Sequence, residues 1–309
     1  MRICIQTGDV IDDIGKKEGY ALFKKAGFEG IDWNLDHAWN NSEIRSGKYG
    51  GNCIFEKSLD EVKAHYADEL ALIEKNNLFI SQAHAPFPCY VREYPDFIDY
   101  AIEIYKRNIE FCSAVGCGRL VIHGVSYSLA DYVNTPDNIY ALNKKLYTSL
   151  IPVLLENDVT VCLENLFVTY NSVNYQGCCS DAYKAADFID MLNETAGREL
   201  FGLCLDTGHA NLLHHDFRVI IPAYGKRIKA LHIHDNNGAK DQHRAPVTGT
   251  IDWNHFCSAL RNIGYDGDLS FETFAQTKAA QKFDKSLVLP WLKLIYATGN
   301  AFREKIENG

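Results

Sequence analysis

The sequence predicts an α/β chain folded as a (β/α)8 barrel. Three observations carry this: eight short apolar runs alternate with longer amphipathic stretches, no glycine-rich phosphate turn follows the first run, and ionisable side chains close six of the runs. Parallel strands buried on both faces read as near-continuous apolar segments without a 3.6-residue period. At 309 residues the chain lies within the range of a single barrel of this kind.

The expected strands are residues 3–6, 30–34, 78–83, 119–123, 160–164, 202–206, 229–234 and 268–272. Helical patterning falls between them at 56–75, 96–114, 135–157, 181–192 and 253–263, and a last helix at 282–297 closes the series. Gly27-Phe28, Val115-Gly116, Asn157-Asp158 and Ile263-Gly264 are the stop signals that release the chain into the next strand. Residues 36–55 form the longest connection and are expected to loop over one barrel end. No linker, low-complexity tract or internal repeat divides the chain, so residues 1–309 read as one domain. A doubly wound open sheet is the rival architecture. Its first turn would carry G-x-G-x-x-G, whereas the first strand here ends Gln6-Thr7-Gly8-Asp9.

Composition narrows the function classes. Hydrophobic residues at 47% and charged residues at 23% are ordinary for a soluble globular protein. No apolar run approaches the ~20 residues needed to cross a bilayer, so a membrane partner is not expected. Met1-Arg2-Ile3-Cys4-Ile5 enters a strand pattern directly, without the apolar core of a signal peptide. A net charge of −9, from 31 basic and 40 acidic residues, disfavours nucleic acid as a partner. Of the ten cysteines, Cys4, Cys162 and Cys204 lie in apolar runs, only Cys178-Cys179 are adjacent, and no Cys-x-x-Cys occurs. Reduced thiols and a cytoplasmic location are therefore expected. A homo-oligomer is compatible with all of this.

The chemistry collects where the strands end. The third runs into His84-Ala85-Pro86-Phe87, the fourth into His123-Gly124, and the fifth into Glu164-Asn165. The sixth ends Asp206-Thr207-Gly208-His209, the seventh His232-Ile233-His234-Asp235 with Asp241-Gln242-His243 in the loop beyond, and the eighth Phe271-Glu272-Thr273. In a barrel these C-terminal ends share one face, the face that carries active sites. One His or Asp at a strand end is usually no more than a satisfied hydrogen-bonding group. Imidazoles and carboxylates converging from six successive strands must be paired, and a divalent cation is the simplest partner. Mixed His and carboxylate donors without thiolate suit Zn, Mn, Co or Mg. Glu164, Asp206, His232 and Glu272 would hold the metal and leave positions open for substrate oxygens. His232 and His234 are two apart, so both face the interior and either can be the ligand.

With these motifs in place, the chain resembles the xylose isomerase-like TIM-barrel superfamily of sugar isomerases, ketose 3-epimerases, inosose dehydratases and endonuclease IV. The likeness runs from the first strand to Glu272. It implies Glu164, Asp206, His232 and Glu272 as the shared metal ligands, and it favours His232 because His232 and Asp235 match the superfamily's His-x-x-Asp pattern. The endonuclease branch implies five more ligands for a trinuclear zinc cluster, matched here by His84, His123, His209, Asp241 and His243. Departures narrow the sugar branch. Xylose isomerase carries Glu-x-Lys at strand five, where Glu164 is followed by Asn165-Leu166, and the ketose 3-epimerases carry an Arg where this chain has Gly238.

The expected function is that of a divalent-metal-dependent sugar or sugar-phosphate isomerase or epimerase acting on a small carbohydrate. Proton transfer beside a carbonyl would proceed through a metal-stabilised enediolate. Glu164 and Glu272 would remove and return the proton from opposite faces, because epimerisation requires departure on one side and arrival on the other. His209 would polarise a substrate oxygen, and His84, His123, His234, Asp241 and His243 are further metal or substrate contacts. Trp33 at a strand mouth and Arg244, the only arginine between positions 232 and 253, are the substrate-binding candidates. The alternative is an endonuclease IV-like zinc phosphodiesterase acting on abasic DNA.

Overall fold

The computed structural model describes residues 1–51, 53–126 and 136–309. Ten strands form: β1 Ile3–Gln6, β2 Gly30–Asn34, β3 Phe79–His84, β4 Arg119–Ile122, β5 Thr160–Glu164, β6 Phe167–Tyr170, β7 Val173–Gln176, β8 Phe201–Asp206, β9 Ile228–His232 and β10 Leu269–Phe271. Eight of them make one parallel sheet in the order β10-β1-β2-β3-β4-β5-β8-β9. The sheet closes where Ile233 N donates to Ser270 O at 2.8 Å and Glu272 N to Ile233 O at 3.1 Å. The closed order is that of a (β/α)8 barrel and excludes the open doubly wound sheet.

Alternation along each strand decides what lies inside. Val121, Cys162, Cys204 and Ala230 make a small apolar cluster contributed by β4, β5, β8 and β9. Their neighbours Leu120, Ile122, Val161, Leu163, Leu203, Leu205 and Leu231 belong to the large core shared with the helices. Side chains repeat every two residues on a strand. The next inward position on each of those four strands is therefore His123, Glu164, Asp206 or His232. The small residues below make room, and the ionisable ones crown them at the mouth.

The helices depart from expectation in four places. The pattern expected from 56 begins at Leu59, as the helix Leu59–Lys75, because Ser58 accepts from Glu61 N while the Glu61 carboxylate takes Ser58 N. Thr135, the expected start of the next helix but one, lies outside the described residues. Its remainder splits into Pro136–Thr148 and Ile151–Glu156, broken just ahead of Pro152, which lacks an N–H and disfavours helical geometry before it. The last helix is Val288–Glu307, preceded by Ala275–Phe283 and a 3-10 turn at Lys285–Leu287, rather than one helix over 282–297. The 36–55 connection is not plain loop. It carries the 3-10 turn Asp36–Ala38 and the helix Asn41–Arg45, capped by the Asn40 side chain.

Four helices and a hairpin were not expected at all. Helices Gly8–Ile14 and Lys16–Ala26 follow β1, and Thr207–Leu212 and Phe217–Tyr224 follow β8. The antiparallel hairpin β6–β7 rises from the barrel mouth after β5. Its turn residues Asn171 and Ser172 have φ of 48° and 62°, the left-handed pair that matches strand twist in a two-residue hairpin. Asn174 Nδ2 reaches across to Ala239 O at 3.3 Å, tying the hairpin to the loop after β9. No helix among the described residues is long and apolar enough to cross a membrane.

Candidate metal centre at the barrel mouth

Glu164 ends β5 fully buried and lies at the middle of the cluster. Its Oε2 is 2.9 Å from His123 Nε2 and 3.7 Å from His84 Nε2, and the two imidazole nitrogens face each other at 3.0 Å. Its Oε1 is 3.2 Å from His209 Nδ1 and 3.5 Å from His232 Nδ1. Glu272 Oε2 approaches the same His232 Nδ1 at 3.4 Å. Asp206 ends β8 and caps the helix Thr207–Leu212, accepting from His209 N at 2.6 Å, while its other oxygen lies 3.0 Å from His234 Nε2.

Asp241 and His243 complete the ring from the loop after β9. Asp241 Oδ2 is 3.1 Å from His243 Nε2 and 3.7 Å from His209 Nε2. His243 adopts φ 43°, and its ring is sandwiched between His234 at 4.1 Å and Phe274 at 4.5 Å. Four overlapping donor sets result: His84, His123 and Glu164; Glu164, Asp206 and His232; Asp206, His209 and His234; and His234, Asp241 and His243. The structure thus gathers every predicted His, Asp and Glu of the site into one cluster.

A cation fits this arrangement on geometric grounds. Both ring nitrogens of His232 and Nδ1 of His234 are buried without a hydrogen-bond partner. Two ligand atoms ~2.1 Å from a shared tetrahedral cation lie roughly 3.4 Å apart. Those are the separations from His232 Nδ1 to Glu272 and Glu164, 3.4 and 3.5 Å. His232 Nε2 meanwhile stands 3.1 Å from Asp32 Oδ2, without hydrogen-bond alignment. A carboxylate behind a ligating imidazole is the usual way its orientation and basicity are set.

Charge follows from the packing. Burial works to raise the Glu164 carboxyl, but the imidazoles of His123 and His232 outweigh it and hold the group well below the usual carboxylate range. Burial likewise opposes charge on His209, yet Asp206, Asp241 and Glu164 hold its pKa well above the ordinary value. His243 is raised to about 9 against its burial, chiefly by Glu272 and Asp241. Glu164 is thus held ionised while His209 and His243 hold protons within the same cluster. A divalent cation held there would take over that charge balance as those protons leave.

Two sequence-based assignments require correction. Trp33 does not reach the mouth. On β2 the inward position is Asp32, so Trp33 points outward, where its Nε1 donates to Glu69 Oε1 at 3.1 Å and its ring packs on Tyr66 and Phe111. Arg244 pairs its backbone with Asp235 and donates Nη1–H to Thr248 O at 3.2 Å, so its guanidinium braces a turn. Other contributors were missed. Asp32 supports His232 and accepts from Gln82 Nε2 at 2.8 Å, and Asn165 clamps the Asp206 backbone through both amide atoms. The signal for Asp32 was an acidic residue inside an otherwise apolar strand, and for Asn165 its position directly after Glu164.

A family model described as xylose isomerase-like TIM barrel matches residues 20–304. An uncharacterized protein of Sinorhizobium fredii is 27% identical over 278 residues, covering 84% of this chain and 82% of that one. A ketose 3-epimerase of Arthrobacter globiformis is 31% identical over 121 residues, 37% of this chain and 39% of that one. Among solved structures, the D-psicose 3-epimerase of Clostridium cellulolyticum H10 with D-tagatose superposes with a TM-score of 0.66 at 16% identity, over 98% of this chain and 99% of that one. An L-ribulose 3-epimerase gives 0.64 at 18% identity, over 99% and 97%. At these identities the structural likeness speaks for the fold.

Proposed function

Because the chain belongs to the xylose isomerase-like TIM-barrel family, we propose that it is a divalent-metal-dependent sugar isomerase or epimerase. The observation that carries the reading is the unpartnered His232 imidazole, with Glu164 and Glu272 both within 3.5 Å of its Nδ1. Glu164, Asp206, His232 and Glu272 would hold the cation. When bound, a divalent cation supplies Lewis acidity toward a carbonyl and the hydroxyl beside it.

The chain's own groups handle the proton. Glu164 is ionised and buried, so it can accept a proton from the carbon next to the carbonyl. Glu272 approaches the same point from β10, and its side chain is partly open to the mouth at 16% exposure. A flattened carbon between the two can lose its proton to one and regain one from the other with inverted configuration. His209, protonated beside Glu164 and Asp241, can donate to a substrate oxygen as charge develops there. The alignment with the ketose 3-epimerase supports this substrate class over the matched third of the chain. The test is deuterium uptake from solvent at the carbon beside the carbonyl of ketohexoses. Uptake that stops with chelator and returns with Mn or Zn is expected. Silence with every ketohexose at full metal loading would contradict the reading.

One observation favours a second reading. The sets around His84–His123 and around Asp241–His243 offer donors beyond those one cation needs. A zinc cluster hydrolysing phosphodiesters, as on abasic DNA, would use them. The net charge of −9 opposes DNA binding. Three zinc ions per chain together with nicking of abasic duplex would promote this reading over the sugar enzyme.

A further inference from the structure

Cys178 and Cys179 are the one adjacent pair among the ten cysteines, and neither is among the donors gathered at the barrel mouth. In an extended chain, successive side chains point to opposite sides. Here Cys179 adopts φ 57°, which turns both thiols to one side, and the two Sγ atoms face each other at 3.6 Å. The turn is pinned at both residues. Leu166 N donates to Cys178 O at 2.8 Å, and Tyr224 Oη donates to Cys179 O at 2.8 Å.

The separation decides between two chemistries. An unstrained disulfide needs sulfurs about 2.05 Å apart and Cα atoms ~4.4–6.8 Å apart, whereas a trans peptide holds adjacent Cα atoms at ~3.8 Å. Closing this pair to a disulfide would therefore strain the chain. Two thiolates on one tetrahedral cation, each at ~2.3 Å, lie roughly 3.8 Å apart, close to the separation found. Asn143 supplies a third donor. Its Oδ1 stands 3.8 Å from Cys178 Sγ, and its amide is fixed by hydrogen bonds of 2.8 Å to both Val125 N and Val125 O. A sulfur and an oxygen on the same cation lie roughly 3.6 Å apart. A cavity of about 290 Å³ reaches both cysteines and Asn143, which gives an ion its way in. The hydrogen bond to Cys178, together with burial, holds the Cys179 thiol well above its usual range. It is therefore a poor nucleophile, and its proton leaves when an ion takes its place.

We propose that Cys178 and Cys179 form a chelating site for one thiophilic cation of the Cu(I), Zn and Cd class, with the Asn143 carbonyl oxygen as third donor. Binding forms two metal–sulfur bonds and releases the two thiol protons to solvent, with no change of oxidation state. Soft thiolates select such ions, whereas a hard ion such as Mn prefers the oxygen donors of the mouth. The site lies beside the chain leaving β4, because a Cβ built on Gly124 falls 2.4 Å from Cys178 Sγ.

The experiment titrates Cd(II) into the reduced, Mn-loaded full chain and follows thiolate-to-metal charge-transfer absorbance in the ultraviolet. Imidazole and carboxylate ligands at the mouth do not contribute to that band. One sulfur-bound equivalent per chain is expected, with two protons released for it. Cys178→Ser and Cys179→Ser are near-isosteric and should each remove that equivalent. Anomalous diffraction from Cd-soaked wild-type crystals needs no variant and should place a peak between the two sulfurs. No thiolate band at saturating Cd(II), a band that survives both substitutions, or a sulfur-bound peak confined to other cysteines would overturn the inference. None of these results bears on the sugar-isomerase reading, which rests on other residues.

Discussion

Replacing Gly208 by Ala is the sharpest perturbation of the site that leaves every polar group in place. Gly208, the second residue of the helix Thr207–Leu212, lies directly against the His234 ring. A Cβ built there falls 1.9 Å from His234 Cε1 and 2.4 Å from its Nδ1. Carbon contacts need ~3.5–4.0 Å, so the ring must retreat by roughly 1.5–2 Å. It has nowhere to go. His234 is fully buried, its Nε2 lies 3.0 Å from Asp206 Oδ2, and its other side stacks on His243 at 4.1 Å. The residue's φ is not among the positive values, so the penalty is contact and not backbone strain. Overpacking of this sort destabilises by ~1–3 kcal/mol. At about 2–4 °C per kcal/mol for 150–250 residues, and no more for a longer chain, the melting temperature falls by roughly 2–12 °C. Moving His234 and Asp206 also lowers metal content after dialysis against sub-stoichiometric cation. Thermal unfolding by circular dichroism and metal analysis together provide the assay. A variant that melts within about a degree of wild type with undiminished metal would refute the steric argument.

Glu272→Gln keeps the shape but removes a base, so the fold persists while deuterium exchange drops ~10²–10⁴-fold; exchange above a tenth of wild type would exclude Glu272 from proton transfer. Asp241→Asn and His243→Gln disturb a donor set that shares only His234 with its neighbours. They should remove at most one equivalent of metal and reduce exchange far less than Glu272→Gln, chiefly through KM; complete loss of metal and activity would make the cluster one indivisible multinuclear centre. Asp268 is pulled below the usual carboxylate range against its burial, by hydrogen bonds from Arg2 and Ser81 at 3.0 and 2.8 Å. A lowered folded value means this stability is complete above the unfolded pKa of ~3.9 and is lost as pH falls through the folded one. Urea midpoints of Asp268→Asn should therefore lie below wild type at neutral pH and converge with it in acid; a constant gap at all pH values would contradict the linkage.

The strands were legible because parallel strands covered on both sides leave an unbroken apolar run, which is why 160–164 coincides with β5 and 3–6 with β1. The site was legible for a related reason. Charged side chains cannot end a buried strand unless something pairs them, so Glu164, Asp206 and His232 announced themselves. What failed were questions of face and of local turn chemistry. Trp33 and Asp32 are adjacent, and a short strand buried on both faces does not say which of the two points inward. The hairpin β6–β7 depends on Asn171 and Ser172 both accepting positive φ, a turn carried by two residues inside a stretch without glycine. A cavity beside His123 and His209 draws its walls from the loops after three strands, and no single stretch of sequence displays it.

The central claim is that Glu164, Asp206, His232 and Glu272 share one cation. Diffraction from crystals grown with Zn or Mn, collected at the corresponding absorption edges, tests it directly. The account predicts an anomalous peak ~2.0–2.3 Å from a donor atom of each of the four, with His232 ligating through Nδ1. Peaks confined to the His84–His123 or Asp241–His243 sets, or no peak at saturating metal, would contradict it.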